Sequence, residues 1–517
     1  MEEKKVKHNK KKYIFIGAIV VTMILAFSYS IVFNADSKNN AKINIPENKY
    51  AIKGNELNDF DLYFLQLENE NVNKVYSPLS IKYALMMLKE GTSGTSEAEL
   101  NSLIGSYQPK KYNNSKNMSF GNALFIRDSF KDNIQNSYVD LLKDKYAAEV
   151  VYDSFSGPKT INSWISNKTF DLIKDMVTDV SNQDFVLVNA LAIDMEWVKK
   201  IQSENNYYDV DYAHENFGWS VQPLNLQDYT SLKFNKSQDA KSAELAAIIN
   251  KYDIVNDLGE ENIRKTVKAA YEKYLEEDPC DSAKDEPDPD TYIEQYMKEI
   301  NSNYMDISSS TDFYFYDNEE VKVFAKDLKK YNGTTLQYVG IMPKKNSLSD
   351  YIKNTNAKDI NNIVNNLKDI NFDSFEDGYI TKVYGYIPMF KFNYELNLMK
   401  DLNSLGVNSV FDSEKADLSK ITSAKEAYIN SVAHKADIEF SNDGIKAAAA
   451  TALGGAGDAR CGFDYNYDVP IKEIDLTFDN PYMFIIRDKN SNEVWFTGTV
   501  YNPVKFEPYE YNEDDYN

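Results

Sequence analysis

The pattern of apolar and polar positions predicts a chain that mixes buried strands with helices. Residues 185–191 (FVLVNAL) form a continuous apolar run of strand length, which is typical of a strand buried on both faces. Residues 434–440 alternate instead, with His434, Ala436, Ile438 and Phe440 on one face and charged residues between them. This second pattern predicts a strand with one buried and one polar face.

Helical spacing of apolar residues recurs along the first half of the chain and once in the second half. It predicts helices over 55–67, 81–88, 130–146 and 359–367. Apolar runs at 313–316, 321–324 and 336–343 predict further strands, of which the last two form a pair. The mixture favours an α+β fold, and 517 residues leave room for more than one domain.

A stretch of small residues, 444–452 (GIKAAAATA), follows the alternating strand almost directly. Alanine favours helix, but no N-terminal cap opens this run and three glycines follow it within a few residues. Small side chains clash with neither a helical, an extended nor an inserted conformation. The stretch is therefore a candidate tether that can change its structure.

The N-terminus combines six lysines within residues 1–12 with an uncharged run over residues 13–33. A run of this length predicts a membrane-spanning helix, and the lysines predict that the leader stays in the cytoplasm. We therefore expect a signal anchor, a single pass through the cell membrane and an extracellular folded domain. The alternative is a secreted protein whose signal peptide is cleaved near Ser28 to Ser30. The polar residues 35–49 are typical of a stalk.

Composition narrows the class of protein. Hydrophobic residues make up 43% of the chain and aromatic residues 13%, which is enough for a sizeable core. The net charge of -23 argues against binding to nucleic acid. With only Cys280 and Cys461, the chain is neither a disulfide scaffold nor a structural zinc protein.

Candidate catalytic chemistry is scarce. The three histidines are His8 in the leader, His214 in a polar region and His434 on the buried face of a predicted strand. None has a cysteine or a second histidine at ligand spacing, and no G-x-S-x-G motif is present. We expect no enzyme activity, no metal and no cofactor.

Two segments carry a family resemblance. HKADIEFSNDGIKAAAATA (434–452) resembles the strand and hinge that precede the reactive loop of serpins. FDNPYMFIIRD (478–488) resembles the C-terminal signature of that family, which usually has Phe where this chain has Tyr482. The resemblance implies a serpin domain over about 50–505, with a large mixed central sheet, smaller sheets, surrounding helices and an exposed reactive loop. It also implies that residues 161–177 form the helix that lies across the large sheet.

The region between residues 202 and 310 is longer than the family pattern needs. Its apolar spacing predicts an inserted helical hairpin within about 236–310, with an acidic loop over 276–290. The loop lacks the glycine and the final glutamate of an EF-hand, which favours solvated carboxylates over a calcium site. Residues 506–517 form an acidic tail.

The resemblance implies an extracellular suicide inhibitor of serine proteases, with cysteine proteases as a second class of target. The protease is expected to form a covalent complex when the cleaved loop inserts into the central sheet. Two positions depart from the hinge pattern, because Ile445 stands where a small hydroxyl residue is preferred and Lys446 where Glu is usual. The implied hinge is Gly444, Ile445, Lys446, Ala447, Ala448, Ala449, Ala450 and Thr451.

Five further residues match structural positions of the family. His434, Ser77, Ser80 and Asn189 match the shutter beneath the strands that part during insertion, and Trp197 matches the tryptophan near the top of the sheet. The Ser77-Pro-Leu-Ser80 turn also has a local reason, because Ser80 makes a good N-cap. None of these roles is catalytic.

The reactive bond is expected at a nearly fixed distance from the hinge. Asp458 lies fourteen residues after Gly444, so cleavage after Asp458 or after Ala459 fits about equally well. Arg460 ranks third, because cleavage there adds two residues to the inserting arm. By resemblance, Cys461 lies near the insertion that carries Cys280, so a disulfide and two free thiols both remain open.

Two other functions stay in view. A non-inhibitory serpin would act as a surface-binding protein through its acidic insertion, and a plain adhesin would have no protease partner. The expected partners are the target protease and the membrane, which the N-terminal helix would enter. We expect a monomer.

Overall fold

The computed structural model describes residues 19–29, 45, 47–67, 70–203, 229–235, 260–277, 287–300, 313–369, 380–441 and 471–505. Its α-helices are α1 (Asp59–Leu67), α2 (Pro78–Glu90), α3 (Gly94–Ile104), α4 (Asn136–Tyr146), α5 (Lys159–Lys168), α6 (Glu260–Glu277), α7 (Pro289–Ile300), α8 (Leu348–Asn354), α9 (Ala357–Asn365) and α10 (Leu398–Ser404). Short 3-10 helices cover Asp128–Asn133 and Ser409–Phe411.

The strands are β1 (Ile19–Tyr29), β2 (Lys74–Tyr76), β3 (Met118–Arg127), β4 (Glu149–Asp153), β5 (Phe185–Ile193), β6 (Gln202–Ser203), β7 (Ser231–Asn235), β8 (Tyr314–Asp317), β9 (Val321–Asp327), β10 (Leu336–Pro343), β11 (Ile380–Pro388), β12 (Phe390–Asn397), β13 (Ala427–Phe440), β14 (Ile471–Asp475), β15 (Tyr482–Asp488) and β16 (Val494–Val500). The predicted mixture of helices and strands is confirmed.

Three sheets organise the described part of the chain. The large sheet has the order β12-β13-β1-β5-β3-β4 and is mixed, because β3 and β4 run parallel while its other neighbours are antiparallel. A second six-stranded sheet has the order β2-β16-β15-β10-β9-β8. A four-stranded sheet has the order β14-β11-β7-β6. The expected large mixed sheet with smaller sheets beside it is therefore present.

The two strands that the hydrophobic pattern marked most clearly are confirmed. Every residue of β5 is buried, because one face of the strand packs on the main core and the other on the small core beneath α5. In β13, burial alternates from His434 to Phe440 as the sequence predicts. The paired strands β9 and β10 are confirmed as well.

Two predicted helices differ in length from the observed ones. The segment 130–146 contains the end of a 3-10 helix and then α4, which begins only at Asn136. The segment 161–177 is helical only to Lys168, where α5 ends, although Ile173 beyond it is still buried in the small core. Buried apolar residues such as Phe130 and Ile173 lie beyond the regular helix in both places, so the spacing in the first segment and the resemblance in the second gave bounds that were too wide.

The N-terminal apolar run does not form the predicted membrane-spanning helix. Its central part, Ile19–Tyr29, is the strand β1 of the large sheet and not a membrane-spanning helix. Among the described helices, none is both long enough and apolar enough to cross a bilayer. The predicted signal anchor and single-pass localisation with an extracellular domain are therefore wrong. The basic leader, most of the stalk and the acidic tail lie outside the described residues.

The predicted helical hairpin is present as α6 and α7. Its two helices meet through the rings of Tyr271 and Tyr292, which stack at 4.0 Å with an interplanar angle of 7°. Ile263, Val267 and Met297 are buried alongside them. Arg264 joins the helices by an ion pair with Glu294 at 2.7 Å. Most of the acidic loop between them lies outside the described residues.

A buried ion pair lies between the first two helices. Lys82 Nζ on α2 lies 2.6 Å from Asp61 Oδ1 on α1, and neither side chain is exposed at all. Asp61 also accepts a hydrogen bond from the backbone N–H of Asn58 at 2.8 Å. Burial raises the pKa of the Asp61 carboxyl, while the neighbouring Lys82 lowers it. The pair is thus a charged element inside the main core.

Candidate functional site: the strand slot of the large sheet

A position one strand wide lies between β5 and β13 in the large sheet, and we call it the strand slot. Its occupant in the structure is β1, which runs antiparallel to both neighbours. It follows that β5 and β13 run parallel to each other. The strand slot therefore accepts a strand of one direction, opposite to that of β13, if antiparallel ladders are to form on both sides.

His434 lies on β13 at the centre of this region. It is fully buried, and its Nε2 accepts a hydrogen bond from the backbone N–H of Ser77 at 3.0 Å. Burial lowers the pKa of His434 to about 3. The imidazole is therefore neutral near pH 7, as its acceptor role requires. It stabilises an arrangement of elements and is not placed to transfer a proton to solvent.

Ser77 and Ser80 connect β13 to β5 through the first turn of α2. Ser77 is the N-cap of this helix, and its Oγ accepts a hydrogen bond from the backbone N–H of Ser80 at 3.0 Å. The hydroxyl of Ser80 in turn donates to Oδ1 of Asn189 on β5. The sequence prediction made Ser80 the cap, but the structure gives that role to Ser77, because Pro78 occupies the first helical turn.

The hydrogen-bonded chain continues beyond the predicted residues. Asn189 Nδ2 donates to Oδ1 of Asn122 on β3 at 2.7 Å, and Asn122 Nδ2 donates to the carbonyl of Tyr146 at 2.8 Å. Sequence reasoning missed a role for Asn122. The available signal was an amide side chain within the otherwise apolar strand pattern of residues 118–126. We call the group of His434, Ser77, Ser80, Asn189 and Asn122 the polar cluster.

Trp197 lies at the end of β13 from which the small-residue stretch departs. Its indole Nε1 donates to the carbonyl of Ser441 at 3.1 Å. Its ring meets that of Phe440 edge-on at 5.5 Å. Trp197 is almost completely buried, so it fixes the last described residue before the predicted hinge.

The remaining predicted site residues lie outside the described residues. They are the hinge residues Gly444, Ile445, Lys446, Ala447, Ala448, Ala449, Ala450 and Thr451, the bond candidates Asp458, Ala459 and Arg460, and the cysteines Cys280 and Cys461. The structure thus brings together the four residues of the predicted shutter and places Trp197 beside Ser441, the last described residue before the predicted hinge.

Comparison with known proteins decides the family. The family model described as "Serpin (serine protease inhibitor)" matches residues 57–246 and 284–503, which is most of the chain. The chain belongs to the serpin family. The unmatched residues 247–283 include all of α6. The first helix of the inserted hairpin therefore lies outside the residues that the family model matches.

Relatives of this serpin occur in different domains of life. It is 22% identical over 467 residues to an uncharacterized serpin-like protein of Methanosarcina acetivorans, covering 86% of this chain and 84% of the relative. It is 24% identical over 466 residues to the human leukocyte elastase inhibitor, covering 86% of this chain and 97% of the relative.

Solved structures support the fold of this serpin. The native thermophilic serpin tengpin matches with a TM-score of 0.52 and 18% identity, over 86% of this chain and 92% of that chain. Thyroxine-binding globulin in complex with thyroxine matches with a TM-score of 0.53 and 15% identity, over 86% of this chain and 98% of that chain. Serpins act as inhibitors or as binding proteins and not as catalysts.

Proposed function

We propose that this serpin is a suicide inhibitor of serine proteases, with cysteine proteases as a second class of target. The observation that carries the proposal is the strand slot. It has room for one strand between β5 and β13, and that strand runs opposite to β13. The predicted hinge follows β13, so if the chain turns back after Phe440 the hinge runs antiparallel to β13, as the strand slot requires.

The start of the hinge supports the same mechanism. Trp197 donates a hydrogen bond to the carbonyl of Ser441, and a hinge that follows this residue would begin at one end of the strand slot. Side chains alternate along an inserted strand, which would place Ile445, Ala447, Ala449, Thr451 and Leu453 toward the interior. None of these five residues is charged, so their insertion leaves no buried ion.

The two departures from the hinge pattern have different consequences. Ile445 is larger than the usual hydroxyl residue, so it slows insertion by crowding, but it is apolar and compatible with burial. Lys446 falls on the outward face in this alternation, where its charge stays in solvent. Neither residue prevents the loop from becoming a strand.

Incubation with a susceptible serine protease is expected to give a complex that survives boiling in SDS. The acyl bond persists because the inserted loop carries the protease away and distorts its active site before water completes the reaction. Loop cleavage is also expected to raise the melting temperature of the inhibitor, because an inserted hinge can pair with β13 from Phe440 onward, whereas the ladder of β1 begins only at Asp437. Gel electrophoresis and calorimetry measure the two effects. Clean cleavage without a covalent complex, across several protease families, would instead favour a binding protein that acts through its acidic insertion.

The reactive bond is expected after Asp458 or Ala459. The inserted arm must span the sheet, so its length after Gly444 is nearly fixed, and cleavage after Arg460 lengthens it by two residues. Mass spectrometry of the C-terminal peptide released from the denatured complex identifies the bond. A peptide that begins at Ala459 or Arg460 agrees with this expectation, whereas one that begins beyond Cys461 contradicts the fixed-length argument.

A further inference from the structure

The strand β1 occupies the strand slot over almost its whole length. On one side, Val20 to Tyr29 pair with Asp437 to Ala427 of β13, with one register shift between Ala26 and Phe27. On the other side, Ile19 to Phe27 pair with Ile193 to Phe185 of β5. All nine residues of β5 therefore have a partner in β1.

The inserted hinge would need the same backbone partners. A strand that returns from Ser441 runs opposite to β13 and passes Phe440 to Ile438 before it reaches Asp437, where β1 begins its ladder with β13. From Asp437 onward the two strands would need the same partners. Each backbone N–H or C=O on the inner edges of β5 and β13 can complete a ladder with only one strand. Occupation by β1 and insertion of the hinge therefore exclude each other.

The composition of β1 suits a buried central strand. Its eleven residues, IVVTMILAFSY, carry no charge and no proline, and five of the first six are β-branched. The register places Met23 opposite Asn189 on one side and His434 on the other. These two residues belong to the polar cluster, so the middle of β1 lies where the cluster links the two walls of the strand slot.

We propose that the N-terminal segment Ile19–Tyr29 is a resident plug of the strand slot, which the hinge must displace strand for strand. The role of the hinge rests on the proposed function, whereas the occupation of the slot by β1 does not. While β1 is in place, both walls already have their hydrogen bonds, so insertion gains no new ladder until β1 leaves. Release of β1 is thus the step that regulates trapping.

The test compares full-length wild type with Ile24→Pro. Proline at the centre of a strand paired on both sides removes a ladder hydrogen bond and its ring disrupts the strand. Asn39→Pro, also N-terminal but outside β1, is the matched control. Hydrogen exchange with mass spectrometry should show slow exchange at residues 19–29 in wild type and in the control. The same amides should exchange at least about tenfold faster in Ile24→Pro.

A synthetic peptide of residues 445–458 gives a readout that needs no protease. It is expected to be incorporated into Ile24→Pro and not into wild type or the control, as judged by native mass spectrometry. If residues 445–453 of Ile24→Pro instead become protected, its own hinge has replaced β1, which supports the same competition. With a susceptible protease, complex formation should be at least about tenfold faster for Ile24→Pro whose hinge is not yet inserted than for wild type, whereas molecules whose own hinge has inserted should form no complex.

The outcomes separate the two proposals. Fast exchange at residues 19–29 of wild type, or equal peptide uptake by wild type and Ile24→Pro, would overturn the plug. The plug would also be overturned if the amides of β5 and β13 exchange fast in Ile24→Pro while this variant neither takes up the peptide nor shows slow exchange at residues 445–453. Selective peptide uptake by Ile24→Pro without any covalent complex with a protease would retain the plug and refute protease trapping.

Discussion

Replacing Ala447 with Arg is expected to convert the protein from an inhibitor of its target protease into a substrate. In the proposed insertion Ala447 faces the interior, so the variant would have to bury a guanidinium without a partner. The cost of an unpaired buried charge is several kcal/mol, which slows insertion by at least about 100-fold. Hydrolysis of the acyl bond is unaffected, so it is completed before the slower insertion can trap the protease. The measurement is the number of inhibitor molecules consumed for each protease molecule inactivated.

Ala448→Arg is the matched control for this variant. It introduces the same side chain one position later, on the face that the alternation directs toward solvent. We expect it to keep most of the trapping activity. The comparison should be made both in the wild-type background and in Ile24→Pro, in which β1 no longer blocks the strand slot. Equal loss of trapping in both arginine variants would contradict the assigned alternation and with it the proposed register of insertion.

The large sheet shows where sequence patterns succeed. The alternation from His434 to Phe440 predicted β13 because a strand with one buried face leaves a period of two. The apolar run 185–191 predicted β5 because a strand covered on both faces needs no polar positions. In both elements the local pattern and the tertiary environment agree, so the pattern alone was sufficient.

The strand β1 shows where the same reasoning fails. A continuous apolar run has no period, so only its length separates a buried strand from a buried or membrane-spanning helix, and the uncharged run 13–33 has the length of a membrane-spanning helix. The β-branched residues Ile19, Val20, Val21 and Thr22 were an available signal for a strand, but the prediction rested on the length of the uncharged run. The deciding partners, β5 and β13, are far away in sequence. Local sequence could not show that they leave a position for one more strand.

The polar cluster is an intermediate case. His434, Ser77, Ser80 and Asn189 were grouped by family resemblance, and they do form one hydrogen-bonded chain in the structure. The sequence could not show which of Ser77 and Ser80 accepts the capping hydrogen bond, because the N-cap depends on where the helix begins relative to Pro78. Asn122 was missed because an amide in a strand gives no indication of its partner across the sheet.

The buried ion pair was also beyond the reach of sequence. Lys82 lies within an apolar helical pattern, where a lysine normally points to solvent. In the structure every residue of α2 from Pro78 to Leu88 is buried, so no solvent face is left for it. Asp61 on α1 provides the compensating charge. A charge at such a position is tolerated only with its partner in place.

Replacing Lys82 with Met is therefore expected to destabilise the protein by ~3–5 kcal/mol at pH 7. The variant keeps the volume of the side chain but leaves the carboxylate of Asp61 buried and unpaired. Loss of Lys82 removes the charge that lowers the pKa of Asp61, so burial raises this pKa further. The folded variant then binds a proton that the unfolded chain does not, and its stability increases as the pH falls from 7 toward 5. Urea unfolding at both pH values measures the effect.

The double variant Asp61→Leu with Lys82→Met is the control that separates charge from packing. It removes both ions and keeps apolar volume, so we expect its stability to lie within ~1 kcal/mol of wild type or above it. Asp61→Leu alone leaves the ammonium of Lys82 buried without its partner, so this variant should also be less stable than wild type. A small effect of both single variants would show that water reaches the pair. Large losses of stability in both single variants, together with a pH dependence of Lys82→Met that disappears in the double variant, require that the two charges stabilise the core only together.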